Sequence, residues 1–136
     1  MAAELLEPVR FPVKNLINVV STRRHGLEMA LTVGFSRPDA TKIAVVISEL
    51  ARNITLYTEG GTITLIPHTS NRRGLKVIAQ DQGPGIENVD QVLAGGYTTS
   101  NGLGMGVSGS KNIMDEFEIQ SVLGAGTTIK AAKWLD

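Results

Sequence analysis

The segment "SRPDATKIAVVISELARNITLY", Ser36 to Tyr57, limits this chain's fold more than any other. Ile43, Val46, Ile47, Leu50 and Ile54 recur at helical spacing and form one apolar face. Ser36 or Asp39 can cap the N-terminus, and Pro38 suits a first turn. A helix this long and one-sided needs a broad apolar surface to lie on. The sequence supplies one in segments that alternate apolar and polar residues: Thr62 to His68, Gly74 to Asp81, Phe117 to Val122 and Thr127 to Trp134. The first two read as an antiparallel hairpin joined by "TSNRRG". "VRFPV", Val9 to Val13, reads as a further strand, and Pro12 argues for a sheet edge. Asn15 can cap a helix running to about Val33, which Gly34 ends. The expected fold class is α+β: a two-layer α/β sandwich with a mixed, mostly antiparallel sheet and helices on one face.

With 136 residues the chain suits one domain, 1–136. Thirteen basic and thirteen acidic side chains cancel, so no excess charge points to nucleic acid or an anionic membrane. Arg23-Arg24-His25 and Arg72-Arg73 are short and read as solvated surface rather than binding stripes. There is no cysteine, which excludes disulfides and thiolate metal sites. No stretch approaches the roughly 20 apolar residues of a membrane span. The N-terminal "MAAELLEPVR" lacks a basic segment followed by an apolar run, so a cytoplasmic location is the default.

Four short constellations carry chemistry. Glu49 and Asn53 in "ELARN" are four residues apart and project from one side of the helix, at the margin of its apolar stripe. The glutamate can accept a proton, and the asparagine oxygen suits a hard cation such as Mg²⁺. Asp81 ends a strand and opens "DQGPGI", where its carboxylate can accept a hydrogen bond from an amino group. Gly83 and Gly85 allow a sharp turn or leave room for a flat ring. The glycine-dense "SNGLGMGVSGSK" opens a helix expected from about Met105 to Asp115, with a short helix near Val89 to Leu93 before it. Its glycines would let backbone N–H groups approach phosphate. It is not a Walker A loop, because Gly109 is followed by Ser110 and only then Lys111. Nor does it follow a strand, as a dinucleotide fingerprint must. "LGAGTTI" forms a late turn, from which Thr127 could reach a ligand of Asp81 if the two strands are neighbours.

The order of these pieces is more specific than any one of them. Glu-x-x-x-Asn, Asp-x-Gly-x-Gly, a polar stretch, Gly-x-Gly-x-Gly and Gly-x-Gly-Thr resemble the Bergerat-fold (GHKL) ATP-binding domain of histidine kinases, gyrase, Hsp90 and MutL. The resemblance covers roughly Ser36 to Trp134. "ELARN", "DQGPGI", "GGYTTSNGLGMG" and "MDEFEIQS…GAGTTI" are most similar to the small serine/threonine kinases of bacterial partner switching, in particular the stressosome switch kinases.

The resemblance implies roles. Glu49 is the general base toward a protein serine or threonine, and Asn53 ligates Mg²⁺ among the phosphates. Asp81 binds the adenine amino group, helped by Thr127 through water. Gly83, Gly85 and Ile86 shape the adenine pocket. Thr98, Thr99, Ser100 and Asn101 form a lid over ATP. Gly102, Leu103, Gly104, Met105, Gly106 and Val107 carry the phosphates onto the following helix. Lys111 either adds charge near them or makes a surface ion pair. His25 and His68 read as incidental surface residues, since no phosphoacceptor helix pair surrounds them, so the acceptor lies on another protein. Gly109 reads as a helix position where close packing favours a small residue. The implied partners are STAS-domain antagonist and scaffold proteins of a stressosome, and a downstream output protein such as a phosphatase or other signalling enzyme. The alternatives are an anti-sigma factor kinase that sequesters a sigma subunit, and a nucleotide-binding module without transfer activity.

Overall fold

A computed structural model describes residues 4–83 and 109–135. Asn15 starts the first helix with a reciprocal capping box. Its side chain accepts the Asn18 N–H at 3.0 Å, and the Asn18 side chain accepts the Asn15 N–H at 3.3 Å. This helix, α1, runs Leu16–Val33 and ends at Gly34, whose φ of 127° disfavours a side chain. Ser36 then caps α2, Arg37–Tyr57, by accepting the Asp39 N–H at 3.3 Å. Of the two cap candidates, Ser36 is therefore the one used.

Five strands form one sheet: β1 Val9–Val13, β2 Gly61–His68, β3 Gly74–Asp81, β4 Glu116–Val122 and β5 Gly126–Trp134. Their order is β1-β2-β3-β5-β4. Every pair among the described strands is antiparallel, so the parallel component of a mixed sheet is not found there. Pro12 lies on an outer strand, where a missing donor is tolerated. Strand starts at Gly61, Glu116 and Gly126 each fall one residue before the sequence expectation. A helical segment, 109–113, precedes β4.

Period-two alternation makes one face of the sheet apolar in rows. Val9, Leu65, Val77, Ala131 and Phe117 lie in register across all five strands. So do Phe11, Ile63, Ala79, Ile129 and Ile119. These rows share one core with Ile43, Val46, Ile47, Leu50 and Ile54 of α2, and with Val19, Met29, Ala30 and Val33 of α1. The helices approach each other closely at Gly26, where an added Cβ would sit 2.2 Å from Ile47 Cδ1.

Several side chains expected to be plain surface have structural work. His25 packs edge-on to Phe11 at 5.3 Å and His68 to Trp134 at 5.2 Å, and each is only partly exposed with a buried Nε2. They are not incidental surface residues, because each ring has an aromatic neighbour to lie against. Arg72 lies over the Trp134 ring at 4.4 Å and pairs with Glu116 at 3.7 Å. The Arg73 guanidinium donates to the Val33 carbonyl, which satisfies the C-terminal end of α1. Arg23 and Arg24 are exposed, as expected. Gly109 is exposed, with no described atom within 4 Å of a Cβ built there, so close packing against described residues does not account for it.

Ile47 is fully buried between α1 and the sheet-facing core. Ile47→Ala should cost about 2–5 kcal/mol of folding stability, read from the midpoint of urea unfolding with an unchanged slope.

Candidate functional site

The third row of the same sheet face breaks the apolar pattern. Val13, Gly61, Asp81, Thr127 and Ser121 lie in register, one step beyond Phe11, Ile63, Ala79, Ile129 and Ile119. Alternation gives both rows the helix-bearing face. Three polar side chains thus stand side by side at the end of an otherwise apolar surface. Directly opposed residues of antiparallel strands have Cβ atoms roughly 5 Å apart. The expectation that Asp81 and Thr127 are neighbours if their strands pair is met by the β3–β5 register.

Backbone contacts hold this row. Asp81 Oδ1 accepts the Gly83 N–H at 2.9 Å, which fixes the carboxylate over the turn leaving β3. A Cβ on Gly83 would lie 2.5 Å from Thr58 Cγ2, so the turn passes against the residue that ends α2. The Thr58 hydroxyl donates to the Ile54 carbonyl at 2.7 Å and accepts the Gly60 N–H at 3.0 Å. On the other side, Gly126 has φ 121°, and a Cβ there would lie 2.2 Å from the Asp81 carbonyl oxygen. Thr127 is 8% exposed, and its hydroxyl meets that of Ser121 at 2.8 Å.

Glu49 and Asn53 lie on α2 at the margin of its buried face, next to Val46 and Leu50. The alternation of buried and partly exposed residues along α2 matches the stripe read from the sequence. Asn53 and Glu49 precede Thr58 by five and nine residues, which places them about 7.5 and 13.5 Å along the helix axis from the Gly83 contact. Among the described residues Asn53 Nδ2 is buried without a hydrogen-bond partner, an arrangement that costs free energy until the amide is satisfied. Glu49 is 35% exposed in its side chain, and Oε1 pairs with Arg52 at 3.7 Å. Such an exposed pair is weak and easily opened.

A cavity of about 940 Å³ opens at this end of the sheet. Asp81, Gly83, Thr58 and Gly60 line it, as do Arg10 and Lys14. Glu49, Asn53 and Thr127 do not line it. The structure therefore joins Asp81 to Thr127 by register and Asp81 to Gly83 within one cavity, and it sets Glu49 and Asn53 apart along α2. Gly85, Ile86, Thr98, Thr99, Ser100, Asn101, Gly102, Leu103, Gly104, Met105, Gly106 and Val107 lie outside the described residues, as does the short helix expected near Val89 to Leu93. Lys111 is exposed on the helical segment 109–113. Thr58 and Ser121 also belong to this row and its supports, beyond the residues expected from the sequence. For Ser121 a signal existed: pairing of Val122 with Gly126 around the tight turn puts Ser121 opposite Thr127.

An acceptor-only carboxylate and a buried hydroxyl at a sheet end, with an unsatisfied amide further along one helix, suit a nucleotide laid along that helix. Residues 38–135 match the family of histidine kinase-, DNA gyrase B- and HSP90-like ATPases. The chain belongs to that family, whose members use ATP. It is 48% identical over 120 residues to serine/threonine-protein kinase RsbT of Bacillus subtilis strain 168, covering 87% of this chain and 90% of that one. It is 32% identical over 104 residues to the anti-sigma F factor of Priestia megaterium, covering 71% of each. Within the family it groups with the serine/threonine-protein kinases. In fold it is similar to the RsbU and RsbW domains of Rv1364c from Mycobacterium tuberculosis, with a TM-score of 0.65 and 15% identity over 93% of this chain and 32% of that one. It thus spans about a third of that structure's length. Among the described residues no helix is long and apolar enough to cross a membrane.

Gly126→Ala would combine a strained φ with a clash against the Asp81 carbonyl. It should lower stability by about 1–3 kcal/mol and weaken nucleotide binding, measured by thermal melts with and without ADP.

Proposed function

We propose that this chain is an ATP- and Mg²⁺-dependent protein serine/threonine kinase that phosphorylates STAS-domain antagonist and scaffold proteins of a stressosome and then activates a downstream output protein. The observation that carries the reading is the polar third row, Asp81 beside Thr127, at the end of the sheet next to the C-terminus of α2. The 48% identity to RsbT supports the kinase assignment.

In this reading Asp81 accepts a hydrogen bond from the adenine amino group, and the Gly83 N–H holds the carboxylate in place for it. Thr127 assists at the base. Gly83 and Gly85, with Ile86, shape the pocket. Thr98 to Asn101 cover ATP, and residues 102–107 hold its phosphates. The phosphates then run along α2 toward Asn53 and Glu49. No group of three or more His, Asp or Glu among the described residues could hold a metal alone. Asn53 would hold a magnesium ion through its side-chain oxygen, a hard donor that suits that cation. When bound, that ion supplies neutralisation of phosphate charge. Glu49 releases Arg52 and takes the proton of the attacking hydroxyl.

The test is transfer from γ-labelled ATP with magnesium to purified STAS-domain proteins. Glu49→Ala should reduce transfer by roughly 10²–10⁴-fold while ADP affinity survives. Unchanged transfer would remove Glu49 from the mechanism. Asp81→Asn should instead weaken ADP binding roughly 10-fold or more, since a hydrogen bond to a charged group is lost. The similarity to anti-sigma F factors favours a second reading, a kinase that sequesters a sigma subunit. Capture of a sigma subunit rather than STAS proteins in a pulldown selects it.

A further inference from the structure

Thr58 lies just past α2 and lines the same cavity as Asp81, yet it has no part in the mechanism above. Its oxygen is held from both sides. The Gly60 N–H donates to it at 3.0 Å. Its own proton goes to the Ile54 carbonyl at 2.7 Å, with the Gly60 carbonyl within reach at 3.2 Å. Oγ1 and Cγ2 branch from one carbon, so fixing the hydroxyl also fixes the methyl. That methyl meets the turn leaving β3, where a Cβ on Gly83 would lie 2.5 Å from Thr58 Cγ2. The Gly83 backbone therefore packs against the Thr58 methyl and donates its N–H to the Asp81 carboxylate at 2.9 Å.

We propose that Thr58 is a positioning residue for nucleotide binding: its hydroxyl anchors the side chain to the end of α2, and its methyl holds the turn from which the Gly83 N–H orients Asp81. The two halves of the side chain have separable duties. The hydroxyl ends the helix, and the methyl aligns the carboxylate. A carboxylate that is already aligned loses less freedom when a ligand binds. The same turn from α2 into β2 meets β3 a second time, at Gly61 opposite Asp81, where a Cβ would lie 2.1 Å from the Gln80 carbonyl oxygen. The end of α2 and the end of β3 are thus fitted to each other on backbone as well as side chain. This inference rests on the reading that Asp81 binds the base.

Two variants of the full chain separate the duties. Thr58→Ser keeps the hydroxyl and removes the methyl. Thr58→Val removes the hydroxyl and keeps a methyl at the Gly83 contact. The readouts are ADP affinity by calorimetric titration, melting temperature, and solvent exchange of the Gly83 amide proton by NMR. Thr58→Ser should weaken ADP binding roughly 3- to 10-fold, the scale of one hydrogen bond, and speed Gly83 exchange. Thr58→Val should melt lower than Thr58→Ser, yet bind ADP more tightly than it and leave Gly83 exchange slow. Affinity and melting temperature then rank the two variants in opposite order. A side chain of purely structural importance would make ADP affinity follow melting temperature, and that result overturns the proposal, as does unchanged ADP affinity in Thr58→Ser. Asp81→Asn tests the underlying reading separately. If it binds ADP as the unaltered chain does, the reading fails and the proposal with it. If it binds weakly while Thr58→Ser binds normally, the reading stands and the proposal alone fails.

Discussion

The antiparallel pairing of β3 with β5 is the constraint on which the rest of the site depends. It sets Asp81 against Thr127, two residues separated by a long stretch of sequence. A slip of one residue would send Asp81 to the face without helices and bury its neighbours' polar groups in the core. Two apolar rows guard against that slip, because Ala79 with Ile129 and Val77 with Ala131 must both meet the helices. Gly126 adds a second lock, since the β5 backbone passes so near the Asp81 carbonyl that a side chain would not fit. The same packing that stabilises the fold therefore fixes the functional register.

Division of labour follows from this geometry. The sheet end carries side chains suited to reading a base, and α2 carries side chains suited to phosphate and proton chemistry. The two are tied where Thr58, just past α2, meets Gly83. A rigid helix then acts as a ruler of about 1.5 Å per residue between them. Among the described residues Asn53 is left with an unsatisfied buried amide and Glu49 with a weak exposed ion pair. An unpaired amide or a weak exposed ion pair is inexpensive to give up for a ligand, whereas Thr127 is already tied to Ser121.

Much of this was legible in the sequence, for physical reasons. The long amphipathic α2 and the alternating strands follow from periodicity, and the caps at Asn15 and Ser36 from side-chain chemistry. Pro12 signalled an outer strand because it lacks a donor. The pairing of β3 with β5 is not legible there, since periodicity gives a strand's faces but not its neighbour. For the same reason the packing of His25 and His68 is not legible in the sequence, since it depends on contacts between elements apart in sequence, whereas the place of Ser121 follows from the local β4–β5 hairpin. Thr58 was invisible because only the close approach of Gly83 gives it a function.

The most direct test of the central claim, that the polar row at the β3–β5 end is where nucleotide binds, is amide chemical-shift mapping of the isotopically labelled chain titrated with Mg-ADP. The account predicts the largest described changes at Asp81, Gln82, Gly83, Ser121, Gly126 and Thr127, with the Asn53 side-chain amide shifting as well. Changes confined to the opposite sheet face, at Thr64, Lys76 and Lys130, with this row unmoved, would contradict it.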